Sequence, residues 1–175
     1  MSIKIMMIYD QIQAGAGTKD DKMVPLGTKK EPVGPAIMME PFLKEISGKV
    51  IVCLYCGNGT YLTDPDEVSR KFCAMVNKVK PDVVICGPAF NYIDYASMAA
   101  RVAYDIIQTT KIPALAAMSV ENEETIANYK DKVNIVITPK KGGTGLNDSL
   151  RNICLLAEAL VNKEDVTSLA DRICF

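Results

Sequence analysis

The chain has 175 residues, 49% hydrophobic and 23% charged, with a formal net charge of −1 and no histidine. That length points to one domain able to bury about 70% of the surface its extended form exposes, so a core forms without staples. The near-zero charge leaves no basic stripe for nucleic acid, no apolar run approaches the ~20 residues of a bilayer span, and the missing histidine excludes Ser-His-Asp triads, His-activated thiols and most zinc catalysis.

The chain opens on an apolar run too short for a secretory signal, so a cytoplasmic location is expected. Residues 3–9 read as a first strand. Residues 11–35 are loop-like, with Gly15, Gly17, Pro25, Gly27, Pro32, Gly34 and Pro35. A short helix is expected over 36–46, stopped by Ser47-Gly48, and a buried strand over 50–55, ended by Cys56-Gly57-Asn58-Gly59. Asp64-Pro65-Asp66-Glu67 supplies an N-cap, a proline at the first helical position and two first-turn acids. The helix that follows places Val68, Phe72, Met75, Val76 and Val79 on one face.

A third strand covers 83–86 and an alanine-rich helix 95–110. A strand at 113–118, a short helix at 123–129, a strand at 133–138 and an amphipathic helix at 146–162 complete the pattern. Residues 1–163 thus read as a single α/β domain and 164–175 as a C-terminal tail. Continuous apolar strands alternating with helices mean a mostly parallel sheet covered on both faces. The expected architecture is a three-layer, doubly wound, flavodoxin-like or Rossmann-like fold of about five strands, in the order 2-1-3-4-5.

Six cysteines (Cys53, Cys56, Cys73, Cys86, Cys154 and Cys174) are expected to be thiols in a reducing compartment. Cys53-Leu54-Tyr55-Cys56 matches a redox pair by spacing, but such a pair works at a helix N-terminus and Cys53 falls inside a strand. Cys56 alone, at a strand end, is the better site thiol; Cys73 and Cys154 sit among apolar helix neighbours as core residues. A metal site is not expected, since there is one C-x-x-C and no histidine. Gly15-Ala16-Gly17 lacks the third glycine of a dinucleotide fingerprint. Lys140-Lys141-Gly142-Gly143-Thr144-Gly145 is either an anion cradle on backbone N–H groups or a flexible connection.

The stretch Gly87-Pro88-Ala89-Phe90-Asn91 closes the third strand, at the edge where open α/β sheets bind ligands. Gly87 permits close backbone approach, Pro88 fixes φ, Phe90 anchors the turn, and the Asn91 amide either faces a ligand or caps the next helix. With Cys56-Gly57-Asn58 and the 11–17 loop, this edge suits a small carboxylate or amine better than a nucleotide.

Glu31-Pro32-Val33-Gly34-Pro35, Cys56-Gly57-Asn58, Gly87-Pro88-Ala89-Phe90-Asn91 and Glu121-Asn122, in this order, resemble the selenoprotein B subunit of the glycine, sarcosine and betaine reductases. The resemblance spans residues 3–163 and only the amino-terminal half of that family's protein. It implies reductive C–N cleavage of a small amino acid or betaine, with a pyruvoyl group and a selenocysteine on partner subunits and no cofactor in this chain. The family's selenocysteine lies in the carboxy-terminal half, so a selenocysteine- or cysteine-bearing second half is an implied partner. On this resemblance Cys56 is the catalytic candidate, and Glu31, Gly34, Asn58, Gly87, Pro88, Phe90, Asn91 and Glu121 are the substrate-binding ones, the two glutamates meeting an ammonium or a partner cation. Cys86 and Tyr92-Ile93-Asp94 depart from the family's alanine and Ala-Gly-Arg. The alternative is a non-catalytic ligand-binding or assembly module of the same fold; homo-oligomerisation stays open.

Overall fold

A computed structural model describes residues 1–175. The apolar runs become the strands of one sheet: β1 (Ile3–Asp10), β2 (Gly27–Lys29), β3 (Gly48–Cys56), β4 (Val83–Cys86), β5 (Ala114–Met118) and β6 (Ile135–Ile137), in the order β2-β3-β1-β4-β5-β6. Neighbours are parallel except β2, which runs antiparallel along the last residues of β3. β4 and β5 are buried along their whole length because helices cover both faces, which is why they read as unbroken apolar runs.

One helical layer holds α3 (Asn58–Thr63), α4 (Pro65–Val79), α5 (Ile93–Thr109) and α6 (Glu123–Tyr129). The other holds α1 (Pro35–Met38), α2 (Glu40–Glu45), α7 (Leu146–Val161) and α8 (Thr167–Ile173). Asp64 caps α4 by accepting the Glu67 N–H at 3.2 Å, with Pro65 at the first position. Across the layers, the Tyr95 hydroxyl donates to the Ile8 carbonyl at 2.6 Å and the Tyr9 hydroxyl accepts the Ala36 N–H at 2.9 Å. These two buried phenols pin helices from opposite layers onto the central strand. On the surface, Arg151 of α7 grips Glu45 of α2 through two nitrogens and lies 4.9 Å from the centre of the Phe42 ring.

The five expected strands are all present in the expected order. A sixth, β2, lies inside 11–35, where Gly27-Thr28-Lys29 carries no apolar alternation to announce it. The helix expected over 36–46 is two short ones meeting at Met39, and α3 occupies the Asn58-Gly59 segment read as a turn. Beyond Lys163 the chain forms α8, and Cys174 then bridges Val136 while the Phe175 N–H donates to the Ile135 carbonyl at 3.1 Å. The expected tail therefore closes the free edge of the sheet. No helix is long and apolar enough to cross a membrane.

The Tyr95 hydroxyl gives a direct test of this pinning. Tyr95→Phe leaves the Ile8 carbonyl without its buried donor and should lower unfolding stability by about 1–3 kcal/mol with an unchanged denaturant slope. A loss below about 0.5 kcal/mol in urea titrations would show that the bond contributes nothing net.

Candidate functional site

In a sheet of this order the chain steps outward in both directions from β1, so a crevice opens above the carboxyl ends of β1 and β4. A cavity of about 650 Å³ lies there. Its walls are the 12–15 loop after β1, Lys29 on β2, Gly34, Phe90 and the 139–143 loop before α7. Three lysines, Lys29, Lys140 and Lys141, line it and no carboxylate side chain does. A concave site with charge of one sign concentrates the opposite one, so this cavity selects anions. α7 starts at its rim with Gly145 as an uncapped N-cap at φ 86° and Leu146 in the wall, which adds the positive end of a sixteen-residue helix.

Beneath the first loop lies a buried acid. Asp10 ends β1 fully buried, its Oδ1 accepting the Gln13 N–H at 2.8 Å and its Oδ2 the Asn58 amide at 3.4 Å. Burial pushes its carboxyl above the ordinary range, against the pull of those two donors. The Asn58 N–H donates to Gln11 Oε1 at 3.0 Å, and Gln11 in turn reaches the Thr18 carbonyl at 3.3 Å. Asn58 therefore fixes the 11–18 loop from below and does not line the cavity. Its own Oδ1 is buried without a partner.

The 87–91 stretch is a strap. Gly87 sits at φ 133°, and a Cβ there would stand 2.8 Å from the Ala117 carbonyl oxygen. The Ala89 N–H donates to that carbonyl at 2.8 Å, so Gly87 permits an approach to β5 and not to a ligand. The Gly87–Pro88 peptide is cis. Phe90 adopts φ 51°, a left-handed conformation unusual for an aromatic residue. It is held because its carbonyl accepts the Asn122 amide at 2.6 Å and the Ser119 N–H at 3.0 Å. Within the strap only Phe90 reaches the cavity wall; Gly87 and Pro88 are buried behind it. Asn91 is neither a cap, since Tyr92 precedes α5, nor a donor here: its Oδ1 accepts the Lys141 N–H at 2.9 Å and anchors the lysine loop.

Several expectations change. Cys56 is fully buried, and desolvation pushes its thiol up to about 12, so it is a packing residue and not an accessible nucleophile. Cys53 is buried as well, with its thiol raised by burial; no dithiol pair is exposed. Glu31 is exposed on a groove beside the start of β3, and Glu121 on another groove beside α6, so the two glutamates do not converge and neither reaches the lysine cavity. Gly34, at φ 57°, packs against the Gln13 carbonyl while lining the cavity. The structure adds Gln13, Lys29 and the buried Asp10, and of these only Asp10, an acid ending an apolar strand, carried a signal in the sequence.

A family model described as glycine/sarcosine/betaine reductase selenoprotein B matches residues 2–172. The chain is 30% identical over 79% of its length to glycine reductase complex component B subunit gamma of Carboxydothermus hydrogenoformans, covering 31% of that protein. It is 24% identical over 92% of its length to sarcosine reductase complex component B subunit beta of Peptoclostridium acidaminophilum, covering 36%. A glycine reductase complex component B subunit gamma of Symbiobacterium thermophilum is 26% identical over 69% of the chain, with 28% of that protein covered. The chain thus spans about a third of the length of the curated relatives it matches.

Two measurements check the interior chemistry. Iodoacetamide labelling of the native protein near pH 8 should modify Cys174, the half-exposed thiol, first and leave Cys56 protected; labelling of Cys56 at a comparable rate would overturn its burial. Asp10→Asn keeps the acceptor for the Gln13 N–H and, with the Asn58 amide turned over, gives the orphaned oxygen a donor. Because burial raises the folded carboxyl above its unfolded value, its contribution to stability is complete below the unfolded value and is lost as pH rises through the folded one. Asp10→Asn removes that loss, so its stability relative to the parent should grow between pH 4 and 8; a pH-independent difference in thermal melts would refute this.

Proposed function

Because this chain belongs to the glycine/sarcosine/betaine reductase selenoprotein B family, we propose that it acts as a B-component subunit whose lysine-lined crevice holds the carboxylate of a small amino acid or betaine for reductive C–N cleavage. The observation that carries this is the charge of the crevice: three lysines, no acid side chain, at the switch point of the sheet. Glycine, sarcosine and betaine share one carboxylate and differ only in the methylation of nitrogen. A site reading the carboxylate serves all three, and lysine ammonium groups on flexible stems hold it as point charges.

The residues divide by task. Lys29, Lys140 and Lys141 supply the charge, and Gln13 an amide beside them. Phe90 and Gly34 shape the wall, while Asn91 and Asn58 fix the two loops that carry the contacts. About 650 Å³ is far more than a small amino acid fills, which leaves room for reacting groups delivered by other subunits. None of the six thiols lines the cavity. We place the selenocysteine and the pyruvoyl group on partner subunits, as the family resemblance implies; relatives named as components of reductase complexes support a multi-subunit setting. The buried thiols also favour a second reading, a ligand-binding module without catalytic chemistry of its own.

Titration of the isolated chain with glycine, betaine and acetate, followed by NMR, tests the carboxylate site. Lys140→Ala/Lys141→Ala and Lys29→Ala should each weaken binding about tenfold, the ~1.4 kcal/mol of a lost charged contact, and methylammonium should not bind. Unchanged affinity in both variants would refute the site. The chain alone should reduce none of the three substrates with dithiol donors above a thiol-only control. Turnover that appears only with the remaining reductase subunits separates the subunit reading from the binding module.

A further inference from the structure

On the other side of the Phe90 strap the carboxyl edge has the opposite character. A groove of about 500 Å³ runs between the end of α3, the start of α5 and the length of α6. Asp94, Glu121, Glu123 and Glu124 line it. None of the four takes part in an ion pair, and no cationic side chain lines the groove. Asp94, Glu123 and Glu124 lie in the first turns of α5 and α6, where the helix dipoles favour acids, and the four carboxylates together give the groove a negative field that attracts cationic groups.

The groove also carries apolar surface. Leu62 and Ile93 line it at 52% and 54% exposure, and Val120, next to Glu121, is 62% exposed. Large apolar side chains grouped beside unpaired charge have the composition of an interface, an apolar centre within a polar rim. At the base lies Asn122, 2% exposed, whose Oδ1 has no hydrogen-bond partner. No three of the acids stand close enough to hold a metal ion, and a small cation would leave the apolar groups uncovered.

We infer that this groove docks a lysine-bearing segment of a partner reductase subunit, whose apolar residues cover Leu62, Ile93 and Val120. The inference rests on the proposed function, which supplies the partner. The geometry gives the docking a consequence. Asn122, at the base of the groove, holds the Phe90 carbonyl, and Phe90 is part of the wall of the lysine cavity. A partner seated here therefore stands one residue from the site at which it would react.

Carbodiimide cross-linking of the full chain with the other reductase subunits of its organism tests this, since that reagent joins carboxylates to amines in direct contact. Cross-links should run from Glu121, Glu123 or Glu124 to partner lysines. Glu121→Lys/Glu124→Lys should weaken complex formation at least tenfold and flatten its salt dependence, with Glu121→Gln/Glu124→Gln giving a smaller loss in the same direction. Glu40→Lys, on the opposite helical layer, should leave affinity unchanged; circular dichroism melts confirm that each variant folds. Cross-links confined to other faces, affinity indifferent to charge reversal, or self-association of this chain that the reversal abolishes would each overturn the inference. Subunits that assemble through another face while carboxylates still titrate the lysine cavity refute the groove alone. If no subunit binds and no carboxylate titrates, the proposed function fails with it.

Discussion

The Phe90 carbonyl accepts two hydrogen bonds, from the Asn122 amide at 2.6 Å and from the Ser119 N–H at 3.0 Å, and both halves of the carboxyl edge hang on that junction. It ties the residues after β4 to those after β5 and holds an aromatic residue in a left-handed conformation that would otherwise be disfavoured. The Phe90 side chain is thereby committed to one cavity and its carbonyl to the floor of the other groove. Gly87 is part of the same constraint, because a side chain there would collide with the Ala117 carbonyl and the strap could not lie against β5.

The strap separates charge. A net charge of −1 conceals a carboxyl edge that carries three lysines on one side and four unpaired carboxylates on the other. These charges are not neutralised within the chain, although lysine and glutamate side chains are long enough to pair when placed together. Segregated charge contributes little to folding and much to recognition, since it raises encounter rates and rejects partners of the wrong sign. The proposed carboxylate ligand on one side and the proposed cationic segment on the other would make use of both signs.

The interior thiols and the buried acid are committed to packing and loop support. Cys56 and its neighbour Cys53 are desolvated and held as neutral thiols, and the one buried carboxyl, Asp10, is occupied by loop amides. The loops that line the cavity are anchored by side-chain amides: the buried Asn58 through Gln11 for the first loop, the half-exposed Asn91 through the Lys141 backbone for the second.

Much of the scaffold was legible in the sequence. Unbroken β-branched and apolar runs such as Val83–Cys86 are found in parallel strands covered on both faces, and the helices between them follow from 3.6-residue periodicity and from caps such as Asp64. The absence of any histidine chemistry needed no coordinates, the strand order came from analogy with flavodoxin-like folds and matches the sheet, and the strand-end motifs were enough to recognise the family. Those signals are local, because they depend on neighbours along the chain. Where Lys29 arrives depends on a three-residue edge strand with no periodicity of its own, and the lysine cavity exists only because that strand, the first loop and the 139–143 loop converge. Cys56 reads as an exposed strand end until the surrounding chain covers it, and Glu31 and Glu121 read as contacts for an ammonium or a partner cation until the fold sends them to different grooves. Burial and convergence are set by the packing of segments remote in sequence, which is why only the tertiary structure could decide them.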